Sequence, residues 1–198
     1  MKTILFLLVT FGCLAHAICD ESAALAIIND SQPLQNGTGA AAWRSNDAAV
    51  RNLYLRQLQA LRSIAESGTG SDLPIAKLIP YLNYVPSEFE AEVPSVSLIN
   101  PSVEKISRTW PAFQIILSRT NAAEELKAYS LDSGNPINYR IAAWQVLQYV
   151  DKKTFADVST ALLTEFSSAP KKFRNYLQGT AKGVVPFWGI PSISPADE

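Results

Sequence analysis

NPINYRIAAWQVLQYVD, residues 135–151, decides the fold class of this 198-residue chain. Asn135-Pro136 reads as a turn feeding a helix, because a proline in the first turn lacks only an N–H that would have no intrahelical partner there. Ile141, Trp144, Leu147 and Val150 then recur every third residue, which sets them along one stripe of that helix. Ala142-Ala143 are small enough for another helix to approach closely. Arg140 is placed to tie adjacent turns together.

The same period recurs on both sides. Upstream, a cap at Asn46 or Asp47 opens a helix to about Glu66, with Val50, Leu53, Tyr54, Leu58, Leu61 and Ile64 on its inner stripe and Gly68 as its stop. After Gly68-Thr-Gly-Ser71, Asp72 is expected to cap a second helix carrying Ile75, Leu78, Ile79 and Leu82, antiparallel to the first. A shorter helical piece is expected over Asp20 to Ile28. Pro111 restarts a helix whose apolar face is Phe113, Ile116 and Leu117, since an interior proline removes a backbone hydrogen bond. A further helix runs from about Asn121 to Leu131. Downstream, Thr154-Phe-Ala-Asp157 has the form of a capping box opening a helix that buries Phe155, Val158, Leu162 and Phe166. A last helix is expected from Pro170 to Leu177, stopping at Gly179. Pro86 to Pro101, with Glu88, Glu90 and Glu92 alternating with Phe89, Ala91 and Val93, reads as loop or a short extended piece.

The 135–151 stretch resembles the helix pattern of HEAT-like repeats, in which an Asx-Pro turn leads to an Arg, small residues and then a Leu. Those positions are Asn135-Pro136, Arg140, Ala142-Ala143 and Leu147 in this sequence. Asn121 to Leu131 and Trp110-Pro111-Ala112-Phe113 look like flanking elements of the same array, while Arg56, Leu58, Ala60 and Leu61 give a partial echo. The match covers about one repeat. It implies helix pairs stacked so that each buries the apolar face its neighbour cannot bury alone, and a surface used for protein contact. The expected fold is therefore all-α: antiparallel helix pairs stacked as a short HEAT-like α-solenoid, or an irregular helical domain, with an extended C-terminal tail.

Four segments follow. Residues 1–17 have the pattern of a secretory signal peptide: Lys2, the apolar Ile4 to Val9, and an Ala15-His16-Ala17 cleavage site. Residues 18–45 hold the short helix and a connector, 46–179 the helical domain, and 180–198 an apolar tail interrupted by proline and glycine. The leader implies a secreted or periplasmic protein. No segment reaches the ~20 apolar residues of a membrane span, and a lipid anchor would sit on Cys13 or Cys19. Asn29-Asp-Ser and Asn36-Gly-Thr have the form of glycosylation sequons.

Loss of the leader would also remove His16, the one histidine, and leave Cys19 as the one cysteine. A neutral-pH imidazole base, an imidazole metal ligand and an internal disulfide then become unavailable to the chain. No metal or cofactor is expected. The formal net charge of −1 gives no basic field of the kind nucleic acid attracts.

Two routes to hydrolysis survive without histidine. Ser102-Val-Glu-Lys105 satisfies S-x-x-K, in which a lysine one turn on activates a serine. Ser168-Ala-Pro-Lys171 satisfies it equally, no K-T-G follows, and Lys153-Thr154 runs into Phe155. Paired carboxylates are the second route, but the adjacent Glu124 and Glu125 diverge on a helix. Gly68-Thr-Gly-Ser71 lacks the Gly-Lys-Ser/Thr of a phosphate loop and reads as a turn.

The binding candidates lie near the C-terminus. Lys171, Lys172 and Arg174 interleave with Phe173 and Tyr176, suiting either an acidic partner or a solvated helix face with its aromatics inward. Phe187 and Trp188 stand in a tail too apolar for an inert linker. That tail is expected either to strap the helical stack or to dock into another protein. The sequence points to a non-enzymatic, exported protein-binding or scaffolding protein, with a serine or carboxylate hydrolase of the cell envelope as the alternative.

Overall fold

In a computed structural model the chain is described at residues 21–30, 47–82, 110–185, 187 and 190–196. Among these residues there are eight α-helices and no strand: α1 (Glu21–Asp30), α2 (Ala48–Ser67), α3 (Ile75–Leu78), α4 (Pro111–Leu117), α5 (Ala122–Leu131), α6 (Ile137–Val150), α7 (Lys152–Glu165) and α8 (Lys171–Ala181). The all-α expectation is met.

α2 starts where Asp47, in extended backbone, accepts a hydrogen bond from the Ala49 N–H at 2.8 Å. It ends at Gly68, whose φ of 72° is left-handed and whose N–H returns to the Ile64 carbonyl. Tyr54, Leu58, Leu61 and Ile64 are buried as the period requires, but Leu53 is 45% exposed and leaves the expected stripe. Its place inside is taken by Gln57 and Ala60. Gly70 explains the tight turn that follows. A Cβ there would lie 2.6 Å from the Ile115 Cγ2 and 2.8 Å from the Ile64 Cγ2, so only glycine lets the turn wedge between α2 and α4.

The expected helix after Asp72 is one α-turn, α3, followed by a 3-10 turn over Ile79–Tyr81, where Pro80 ends α-helical bonding. Pro74, not Asp72, is its first flanking residue. Ile75, Leu78, Ile79 and Leu82 are buried as read. The antiparallel pairing with α2 is replaced, however: α3 packs mainly on α4 and α5, and α2 packs on α1 and α4. α1 spans ten residues rather than one or two turns, and buries Ala24 and Ile28.

α5 and α6 form a hairpin with the most extensive helix–helix contact among the described residues, and α7 packs on both. α6 is no ordinary amphipathic helix. Every residue from Arg140 to Leu147 is buried, because α5, α7 and the 79–81 turn all surround it. The Ala142-Ala143 pair is fully buried among these neighbours.

α7 is capped by Asp151 rather than Thr154. The Asp151 carboxylate accepts from the Thr154 N–H at 2.6 Å, and Asp157 pairs instead with Lys153. That backbone bond holds the Asp151 pKa below the ordinary carboxylate value. α8 runs through Gly179 and ends at Ala181, about one turn beyond the expected end at Leu177. Gly183 (φ 69°) provides the stop, its N–H returning to the Thr180 carbonyl while the Val184 N–H reaches Gly179. Gly179 serves close approach instead: a Cβ there would meet the Val185 Cγ2 at 2.8 Å.

The tail then folds back. Phe187 is 2% exposed, edge-on to Trp110 at 5.1 Å between centroids and stacked on Phe113 at 6.0 Å. Phe113 also meets Tyr149 edge-on at 5.7 Å, so α4, the end of α6 and the tail share one aromatic cluster.

Candidate functional site

Two arginines organise the interior. Arg140, 3% exposed, donates Nε to the Ser130 carbonyl at 2.8 Å and both terminal nitrogens to the Glu165 carboxylate at 2.8 and 2.6 Å. Its guanidinium also lies 5.7 Å from the Phe166 ring centroid. It thus ties the end of α5 to the end of α7, rather than joining adjacent turns of its own helix. Arg119 repeats the device: its guanidinium donates to the Leu73 carbonyl at 2.5 Å and takes both Glu125 oxygens at 2.7 Å. These forked, charge-assisted contacts position helices. Arg140 spends all three guanidinium nitrogens on the chain itself, and Arg119 its two terminal ones, while the Arg119 Nε is buried without a partner among the described residues.

The surface candidate is α8. Phe173 is buried and Tyr176 half-buried, so its aromatics do turn inward, with Phe173 edge-on to Phe166 at 5.2 Å. Burial raises the Tyr176 pKa, and a hydrogen bond with Gln145 at 3.3 Å partly offsets it. Lys171, Lys172 and Arg174 are all exposed on the first turns. Arg174 donates to the Ser167 carbonyl at 3.3 Å. None of the three forms an ion pair with a described carboxylate, and Glu165, the nearest in sequence, is engaged by Arg140. From Phe166 to Ala196 the sequence contains no Asp or Glu at all.

Beside these cations runs a cleft of about 220 Å³ between α7 and α8, walled by Leu163, Phe166, Ser167, Arg174, Leu177 and Gln178. It is smaller than the ~300–1,000 Å³ typical of small-molecule sites. Phe166, expected in the core, is half-buried because one edge lines this cleft. The sequence reading selected Arg174 but not the walls. Their only sequence signal is that Arg174 and Gln178 are one turn apart on α8, with Leu163 and Ser167 similarly spaced at the end of α7.

The other candidates do not join this site. Phe187 faces its own core, so the tail is a strap at that residue and does not present it to a partner. Ser102, Lys105, Trp188, Cys13, Cys19, Asn36 and Glu88, Glu90 and Glu92 lie outside the described residues. Asn29 stands exposed on α1, its carbonyl accepting from the Lys77 Nζ at 2.9 Å. Glu124 and Glu125 diverge as expected, Glu124 into solvent and Glu125 onto Arg119. Among the described residues no three His, Cys, Asp or Glu side chains are grouped to hold a metal ion. No described helix is long and apolar enough to cross a membrane. Compared with protein-family models, with curated proteins and with solved structures, the chain matches none.

Proposed function

We propose that this is an exported, non-enzymatic binding protein that contacts another protein through the α7–α8 face of a short, HEAT-like stack of helix pairs. The observation that carries the reading is the set of unpaired cations on α8. Lys171, Lys172 and Arg174 occupy the first turns of a helix with no acidic residue there. Cations at a helix N-terminus oppose the macrodipole, which favours negative charge at that end. Arg174 reaches only the Ser167 carbonyl, and no described carboxylate offsets the three charges; a local rule broken without such an offset marks residues kept for something outside the chain. The repeat reading is supported by the α5–α6 hairpin, with α7 packed against both helices. Export is supported by the Lys2 to Ala17 leader pattern.

A photo-crosslinking residue in place of Gln178, in the full chain produced in its native host, tests contact. We expect discrete protein adducts that disappear when Lys171, Lys172 and Arg174 are all changed to Glu. An absence of adducts, or adducts indifferent to the charge reversal, overturns the reading. Mass spectrometry of the exported product is expected to show a new N-terminus after Ala17; an intact leader overturns export.

A further inference from the structure

Resting on that reading, we infer that the α7–α8 cleft receives an acidic polypeptide segment that inserts one bulky apolar side chain. Two properties of the surface select this occupant. The cleft walls supplied by Leu163, Phe166 and Leu177 are apolar at a volume of about 220 Å³, which suits a single large side chain rather than a cofactor. Its rim is cationic on one side only. Arg174 is itself a wall residue, and Lys171, three residues before it, shares its side of α8, while Lys172 adds positive charge from the other side; all are exposed and none is paired with a described carboxylate.

Charge complementarity therefore requires carboxylates flanking the apolar anchor. Lys182, beyond the far end of α8, extends the same sign, and no Asp or Glu interrupts it between residues 166 and 196. A basic or neutral partner would leave those charges uncompensated as it displaced their water. An anionic membrane shares the charge preference, but a bilayer surface has no use for a one-side-chain slot.

The test uses the full chain and a fluorescent peptide carrying one Phe with two Glu on each side. Fluorescence anisotropy is expected to show saturable binding that weakens on added salt. It should fall at least ~10-fold, about 1.4 kcal/mol, when the peptide Phe becomes Ser, and similarly for the K171E/K172E/R174E chain. Those three side chains are exposed, and circular dichroism of the variant checks that the helices persist. No saturable binding, or binding indifferent to either change, overturns the proposal. So does an equal affinity for phosphatidylserine vesicles and for the Ser-containing peptide, which would make the surface a charge patch without a slot. Crosslinked partners at position 178 together with failure of the peptide would remove the acidic-anchor chemistry and leave protein contact standing. Failure of both removes both.

Discussion

The α5–α7 block and the α1–α4 block both bury polar side chains, and differ in how many of those groups they pair. In the first, Arg140 is fully engaged, Ser130 donates to the Leu126 carbonyl at 2.7 Å, and the Trp144 indole reaches the Ser159 hydroxyl at 3.0 Å. Ser159 in turn donates to the Phe155 carbonyl at 2.7 Å. In the second, the Tyr54 hydroxyl, both Gln57 amide atoms and the Trp110 indole N–H find no partner among the described residues, whereas in the first the Gln145 Oε1 alone is left so. Burial, with Tyr81 stacked alongside, pushes the Tyr54 pKa well above the ordinary phenol value. A buried polar group left unpaired costs roughly 1–3 kcal/mol, whereas a paired one is near neutral or favourable. The α5–α7 block therefore uses polarity to fix which helix meets which. The α1–α4 block carries it as a burden.

The largest effect that can break this contrast lies at Trp144. Trp144→Ala is expected to destabilise by about 3–5 kcal/mol, through a cavity beside Phe155, which stacks on the indole at 5.6 Å. Denaturant unfolding measures it, and a loss as small as that of a surface change would mean that α6 is not the centre of the block.

Next comes Glu165→Ala, expected to cost about 3 kcal/mol because it strands a buried guanidinium. Glu165→Gln should recover part of that. Equal losses for both would show that charge in the Arg140 clamp does nothing.

Gln57→Leu should have the opposite sign. Removing an unpaired amide from a position of 0% exposure is expected to stabilise the chain by roughly 1–2 kcal/mol, with Tyr54→Phe shifting the denaturation midpoint in the same direction. Destabilisation by both would show that the two blocks do not differ.

The smallest effect is at Asp151. Its pKa is lowered by the Thr154 N–H, so its contribution is present above about pH 4, the unfolded value. It is lost as pH falls through the folded value. Thermal melts of Asp151→Ala and wild type should thus differ at neutral pH and converge in acid; a constant gap across pH overturns the cap's role.

These residues also mark how far the sequence could be read. Helices α2 and α4 to α8 are legible because apolar spacing, prolines and glycines are local signals. What escapes is the number of neighbours around each helix. Period places Ile141, Trp144 and Leu147 on one face, but cannot say that α6 is surrounded and that Gln145 and Val146 are buried as well. It sets Leu53 on the inner stripe and gives no sign of Gln57, whereas the structure leaves Leu53 45% exposed and buries Gln57 in a helix that packs on both α1 and α4. Asp151 is hard to recognise as a cap because it alone separates α6 from α7, leaving no loop to announce the boundary. At the candidate site the cations were legible as a charge cluster. The cleft was not, since its walls come from two helices and only their packing brings them together.

The aromatic clasp between Trp110 and Phe187 carries a mechanical consequence. These side chains are separated along the chain by α4 to α8, yet their rings meet edge to face. The ring contacts of Phe187 with Trp110 and Phe113 thus close a loop that contains α5 to α8, so separating the two ends of that stretch requires breaking them.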